Sequence, residues 1–170
     1  MKVLGIIGWS GSGKTTLLTA LIPCLRALGF SVSTLKHAHH RFELDQPGKD
    51  SFLHRQAGAQ EVIVANDAQF ALHREYVGPP LGLQALLARL APVDLVLVEG
   101  FKHDPFPKIE VHRPSLGRAS LWRETQVLAV ASDAALDHCP HPVLRLDQPQ
   151  VIADFIVTHL ALDKAMAVKG

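Results

Sequence analysis

Between an apolar run, Val3 to Ile7, and an amphipathic run, Thr16 to Leu28, the chain carries Gly8-Trp9-Ser10-Gly11-Ser12-Gly13-Lys14-Thr15, which has the form GxxxxGK[ST]. A glycine-rich turn in that position lets the backbone curl until several N–H groups point at one anion. The helix that follows brings the positive end of its dipole to the same place. Gly11, Ser12, Gly13, Lys14, Thr15 and Thr16 are therefore the candidate contacts to a nucleoside triphosphate. Lys14 supplies a mobile cation for the β- and γ-phosphates, and the Thr15 hydroxyl is a ligand for Mg²⁺.

With 170 residues, the chain has the size of a single domain, read here as one nucleotide-binding domain over residues 1–170. A domain of that size buries a core without help from metals or disulfides. Seventeen Lys and Arg against sixteen Asp and Glu leave a formal charge of +1, which offers no basic field for nucleic acid. No apolar run approaches the length of a membrane span. Met1-Lys2-Val3-Leu4-Gly5 leads straight into the first strand, so a soluble cytoplasmic chain is expected. The two cysteines, Cys24 and Cys139, form no CxxC pair and read as free thiols.

Strand and helix signals alternate along the chain. Val3 to Gly8 is continuous enough in apolar residues for a buried parallel strand. Lys14 to Leu28 places Leu17, Leu18, Leu21, Ile22, Leu25 and Leu28 on one helical stripe ended by Gly29. Ser31 to Lys36 reads as a second strand, and Asp50 or Ser51 as the cap of a short helix ending near Gly58. Glu61 to Ala65 and Gln69 to Arg74 flank Asn66-Asp67 as a hairpin attached to the sheet. Leu81 to Leu90 reads as a helix. Asp94 to Val98 is the most apolar strand and is placed beside the first. Lys108 to His112, Val127 to Ala131 and Val143 to Leu146 are further strands, before a closing helix from Gln150 to Ala161. The pattern specifies a three-layer α/β fold of the P-loop NTPase type, with a mostly parallel central sheet and an antiparallel hairpin extension.

Two acids bracket the Asp94 strand. In such folds a carboxylate at the carboxyl end of a strand neighbouring the phosphate loop orients the metal. Five residues at about 3.3 Å each separate Asp94 from Glu99 by roughly 16 Å, so only one of them reaches the phosphates. The phosphate loop marks the carboxyl edge, which selects Glu99 as catalytic and metal-orienting, alongside Lys14; Gly100 then turns the backbone close to the ligand. The long polar connection from His37 to Lys49 emerges at the same edge when the strands are parallel. There Asp45 is the candidate second acid for the metal, and Asp50 a helix cap. His37, His39 and His40 suit a transition metal, an anion or simply a polar loop. Asp133, after the apolar run Val127 to Ala131, offers a carboxylate to the N1–H and exocyclic amine of guanine, an arrangement of donors that adenine lacks. The Asn-Lys-x-Asp signature common in GTP-binding proteins is absent, and a turn-forming role for Asp133 stands beside the base-reading one.

Gly8 to Thr16, Leu35-Lys36-His37 to His40, Asp45-Gln46-Pro47-Gly48-Lys49-Asp50-Ser51, Ala57-Gly58-Ala59, Leu97-Val98-Glu99-Gly100-Phe101-Lys102 and Ala129 to Asp133 together resemble the molybdopterin-guanine dinucleotide biosynthesis protein B (MobB) family over nearly the whole chain. The resemblance implies a homodimeric adapter that binds GTP with Mg²⁺, hydrolyses it weakly, and assists the attachment of GMP to molybdopterin and delivery of the finished cofactor. It also implies partnership with the molybdopterin guanine dinucleotide nucleotidyltransferase, with molybdopterin as a further candidate ligand. The chain departs from wider relatives at Trp9, where many carry a lysine that acts across a dimer. Other readings of the residues are an ATP-dependent kinase or ligase, a nickel-insertion GTPase that would use the histidine loop, and a binding scaffold whose hydrolysis is incidental.

Overall fold

The computed structural model describes residues 1–38, 42–76 and 78–163; His39 and His40 lie outside them. The chain forms two compact units, Met1–His37 with Leu83–Gly170, and Ala38–Gly82.

The larger unit is built on six strands, β1 (Lys2–Ile7), β2 (Val32–Lys36), β5 (Leu95–Glu99), β6 (Lys108–His112), β7 (Ala129–Ser132) and β8 (Val143–Arg145). Their order across the sheet is β2-β5-β1-β6-β7-β8, and every adjacent pair is parallel. All six carboxyl ends therefore lie along one edge, the arrangement that gathers ligands in open α/β sheets. The expected position of the most apolar strand holds, because β5 pairs directly with β1.

Alternation along the strands sorts residues between the two faces. Leu4 and Ile6 of β1, Leu95 and Leu97 of β5, and Ile109 and Val111 of β6 meet α1 (Lys14–Ala27) and α4 (Pro149–His159) in one core. Leu17, Leu18, Leu21 and Leu25 are the buried stripe of α1, each contributing about 1.5–3 kcal/mol by leaving water. On the opposite face Val96 and Val98 carry Leu83 and Leu87 of α3 (Leu83–Leu87). Ile7 and Val130 carry Leu121, from the 3₁₀ turn Leu121–Arg123. Both cysteines are free, and among the described residues no helix is long and apolar enough to cross a membrane.

The smaller unit contains α2 (Asp50–Gln56) and a hairpin of β3 (Glu61–Ala65) and β4 (Phe70–Arg74). The expected hairpin forms, with Ala65 opposite Phe70. Asn66 Oδ1 accepts the N–H groups of Ala68 and Gln69 and so sets the turn. The expected attachment to the sheet is not what forms: among the described residues the hairpin is a two-stranded sheet by itself and shares no ladder with the six-stranded one. The cap of α2 is Lys49 in extended conformation rather than Asp50 or Ser51; the Ser51 hydroxyl instead donates to Asp45.

Candidate functional site

The loop after β1 turns through Gly11 at φ 78° and Gly13 at φ 98°, left-handed values that favour glycine. Gly8 is fixed by crowding as well: a Cβ there would stand 2.4 Å from the Val111 carbonyl oxygen and 2.7 Å from Ser12 Oγ. Gly11 faces open space, with no heavy atom within 4 Å of a Cβ placed on it. Gly13 is the N-cap of α1 and has no side chain with which to satisfy the helix's first N–H groups, which leaves those donors for an anion. Ser12 Oγ is buried without a hydrogen-bond partner, a second unsatisfied polar group in the same turn.

Lys14 and Thr15 open α1 and face this turn. The Lys14 ammonium donates to the Trp9 carbonyl at 2.8 Å, folding back over its own loop. Burial lowers its pKa, the Glu99 carboxylate works against that, and Lys36 adds to the lowering. Thr15 Oγ1 lies 3.3 Å from Glu99 Oε2, and Lys36 Nζ lies 3.5 Å from Glu99 Oε1. Glu99 is thus shared between a hydroxyl and an ammonium at the carboxyl ends of β5 and β2. The fit to a hard divalent cation is good, since a hydroxyl and a carboxylate at hydrogen-bond distance are the oxygen donors that Mg²⁺ takes. Gly100, at φ 107°, would place a Cβ 2.8 Å from His37 Cβ, so this glycine admits His37, which stacks on Phe101 at 4.5 Å.

Asp94 sits at the opposite, amino edge. Its Oδ2 accepts from both the Ser31 amide at 2.7 Å and the Ser31 hydroxyl at 2.6 Å, and the Ser31 hydroxyl oxygen accepts the Asp94 amide. These bonds hold the Asp94 pKa below its usual value.

The family model for molybdopterin guanine dinucleotide synthesis protein B matches residues 3–133. The chain belongs to this family. It is 44% identical to the molybdopterin-guanine dinucleotide biosynthesis adapter protein of Haemophilus influenzae over 158 residues, 92% of this chain and 88% of the relative. It is 42% identical to the protein of that name from Escherichia coli over 162 residues, 92% of each chain. Among solved structures, the MobB homologue from Bacillus stearothermophilus is similar with a TM-score of 0.72 and 26% identity, over 96% of this chain and all of that one.

The remaining predicted site residues of this MobB-family chain separate between the two units. Asp133 follows β7 at the carboxyl edge and borders a cavity of about 450 Å³ shared with Arg113, Ala134, Arg145, Leu146 and Asp147. Asp45 belongs to the smaller unit, where it accepts from Ser51 and stands 3.5 Å from Arg55 Nε. Arg55 is itself buried against Glu43 at 2.7 Å and Glu75 at 3.4 Å.

Sequence reasoning missed three cations. Arg113 donates from Nε to the Ser12 carbonyl at 2.9 Å and from its Nη1 to Asp133 Oδ2 at 3.0 Å. Lys102 and Arg118 stand 5.5 and 5.7 Å from the Trp9 ring centroid, and Trp9 Nε1 donates to the Ala119 carbonyl at 2.7 Å. Trp9 therefore brings two cations of its own chain beside the loop. The available signal was topological: Arg113 is the first residue past a strand at the ligand edge.

Proposed function

We propose that this chain is a GTP-binding adapter, with weak Mg²⁺-dependent GTPase activity, in the biosynthesis of molybdopterin guanine dinucleotide. The observation that carries the nucleotide reading is the meeting of Lys14, Thr15 and Glu99 around the Gly11–Gly13 turn, at an edge where helix N–H groups lack partners. The adapter role rests on relatives of that name, 42–44% identical over nine-tenths of the chain.

In this reading the turn's N–H groups bind the phosphate chain, and Lys14 exchanges the Trp9 carbonyl for the β- and γ-phosphates. Thr15 and Glu99 hold Mg²⁺, which when bound neutralises charge on the phosphate oxygens. Asp133 is the proposed reader of guanine through its N1–H and amine. In this reading the protein works in the cytoplasm with the nucleotidyltransferase that joins GMP to molybdopterin as its proposed partner and molybdopterin itself as a proposed ligand. The exposed face of the hairpin supports a homodimer: Ile63 pairs with Leu72 and Ala65 with Phe70, all solvent-facing, and an isolated two-stranded sheet leaves such a face uncovered.

The test is calorimetric titration of the full chain with GTP, ATP and GDP in the presence and absence of Mg²⁺, repeated on Lys14→Ala. Loss of a charge-assisted phosphate contact is worth roughly 1.5–3 kcal/mol, so GTP affinity falls more than tenfold in the folded variant. Equal GTP affinity in parent and variant overturns the site. Preference for ATP with a phosphorylated small-molecule product favours the kinase reading instead.

A further inference from the structure

We propose that Arg113 is the positioning residue that ties recognition of the base to the phosphate loop, through its simultaneous hold on Ser12 and Asp133; this rests on the reading of Asp133 as the guanine contact. Topology puts Arg113 where one side chain reaches both. β6 lies between β1, which leads into the phosphate loop, and β7, which leads to Asp133. Ile7 is level with Glu110 on one side, and Ser132 is level with His112 on the other. Arg113 is the next residue past His112, as Asp133 is the next past Ser132, so the two emerge side by side from adjacent parallel strands.

The planar guanidinium then uses two of its donors in different directions. Nε donates to the Ser12 carbonyl inside the phosphate loop, and Nη1 to Asp133 Oδ2. The group lies close against the loop, Nη2 being 3.4 Å and Nε 3.6 Å from the point where a Gly13 Cβ would sit. A fixed fork of this kind holds two partners in a set relative position, which the single nitrogen of lysine does not do. One Asp133 oxygen is engaged by Arg113, while Oδ1 and the second lone pair of Oδ2 remain for two donors on one edge of a purine. The same cavity wall contains Arg113, Asp133 and Ala134, so the base would enter beside this pair. Arg113 thereby sets the direction of the carboxylate and its distance from the loop that holds the phosphates.

The experiment measures Kd for GTP, ITP and XTP with Mg²⁺ on the full chain and on Arg113→Lys, Arg113→Met, Asp133→Asn and Arg113→Lys/Asp133→Asn. ITP lacks the exocyclic amine, so the GTP to ITP ratio reports the carboxylate's alignment separately from the phosphates. In the parent this ratio is expected to be roughly tenfold, the worth of one charge-assisted hydrogen bond. Both Arg113 variants are expected to bring it close to one while the melting curve stays cooperative, and Arg113→Lys is expected to add nothing to the ratio once Asp133→Asn is present. Arg113→Lys keeps charge and bulk, which guards against a variant that fails for want of folding. If Asp133→Asn shifts preference toward XTP but both Arg113 variants keep the parent's ratio, or lower GTP and ITP by one common factor, the coupling is wrong and the base reading survives. If Asp133→Asn leaves the preference among GTP, ITP and XTP unchanged, the base reading is wrong and the coupling falls with it.

Discussion

Glu99 and Asp94 are acids at the two ends of one strand, and their neighbours divide their work. Glu99 faces Thr15 and Lys36 at the ligand edge, whereas Asp94 is consumed by Ser31 at the far edge. Glu99→Gln is expected to slow GTP hydrolysis roughly tenfold or more while weakening binding less, because it removes a charge needed to hold the metal against developing negative charge. Asp94→Asn is expected to leave both unchanged and to lower the melting temperature by about 2–4 °C, the equivalent of about 1 kcal/mol at this chain length. The pH dependence has a definite sign. The Asp94 carboxyl titrates below its ordinary 3.8 in the folded protein, so its stabilisation is complete above that value and disappears as pH falls through the lower, folded one. Thermal melts of parent and Asp94→Asn should therefore converge in strong acid and separate at neutral pH. Single-turnover GTP hydrolysis completes the comparison, and a larger loss of turnover in Asp94→Asn than in Glu99→Gln reverses the assignment.

At the scale of elements, β6 shows both the reach of sequence reasoning and its boundary. Its limits, Lys108 to His112, are those that the apolar alternation predicts, and the order of strands and helices was legible throughout from runs such as Leu95 to Val98. The interior of β6 was not. Lys108, Glu110 and His112 share one face and are all buried, where alternation alone would have assigned them to solvent. They are buried because irregular chain and the 3₁₀ turn Leu121–Arg123, not an α-helix, cover that face, and their backbone groups need partners. Glu110 accepts the amides of Leu121 and Trp122 at 2.8 Å each, and Lys108 donates to the carbonyls of Asp104 and Phe106. No periodicity encodes such bonds, and Arg113 escaped notice for the same reason, since its partners depend on strand register. The predicted helix from Leu81 to Leu90 shortens to Leu83–Leu87, the stretch whose leucines meet Val96 and Val98. Glu110→Gln keeps the volume but replaces one acceptor by a donor facing a buried N–H, at a cost of about 1–3 kcal/mol. Burial raises the Glu110 pKa, against the pull of the two amides and of His112, so the parent loses part of its stability as pH rises from the ordinary carboxylate range through the raised value. Urea denaturation of parent and Glu110→Gln across that range should show the gap between them narrowing upward; a constant gap removes the titration from the account.

For the whole molecule, the apolar surface and the nucleotide chemistry belong to different units. Ile63, Val64, Phe70 and Leu72 are exposed on the hairpin of the smaller unit, while Lys14, Thr15, Glu99 and Asp133 belong to the larger. The face formed by Ile63, Leu72, Ala65 and Phe70 is apolar and exposed, and the proposed homodimer would cover it about a two-fold axis, which is how most homodimers close. The Glu61–Arg74 ion pair at 2.9 Å ends the apolar strip on that face and supplies a polar rim. Leu72→Glu puts a charge at the middle of the strip, opposite Ile63, and two copies would bring two such charges together. The expected outcome is a dimer for the parent and a monomer for Leu72→Glu by light scattering behind size exclusion. GTP affinity should change less than twofold, since Leu72 lies outside the unit that holds the nucleotide residues, and the far-ultraviolet spectrum should be retained. A Leu72→Glu protein that stays dimeric with its fold intact places the interface elsewhere. A monomer whose GTP affinity falls as far as that of Lys14→Ala makes the second copy part of the nucleotide site, and the Trp9, Lys102 and Arg118 cluster beside the loop is then the place to look for its contact.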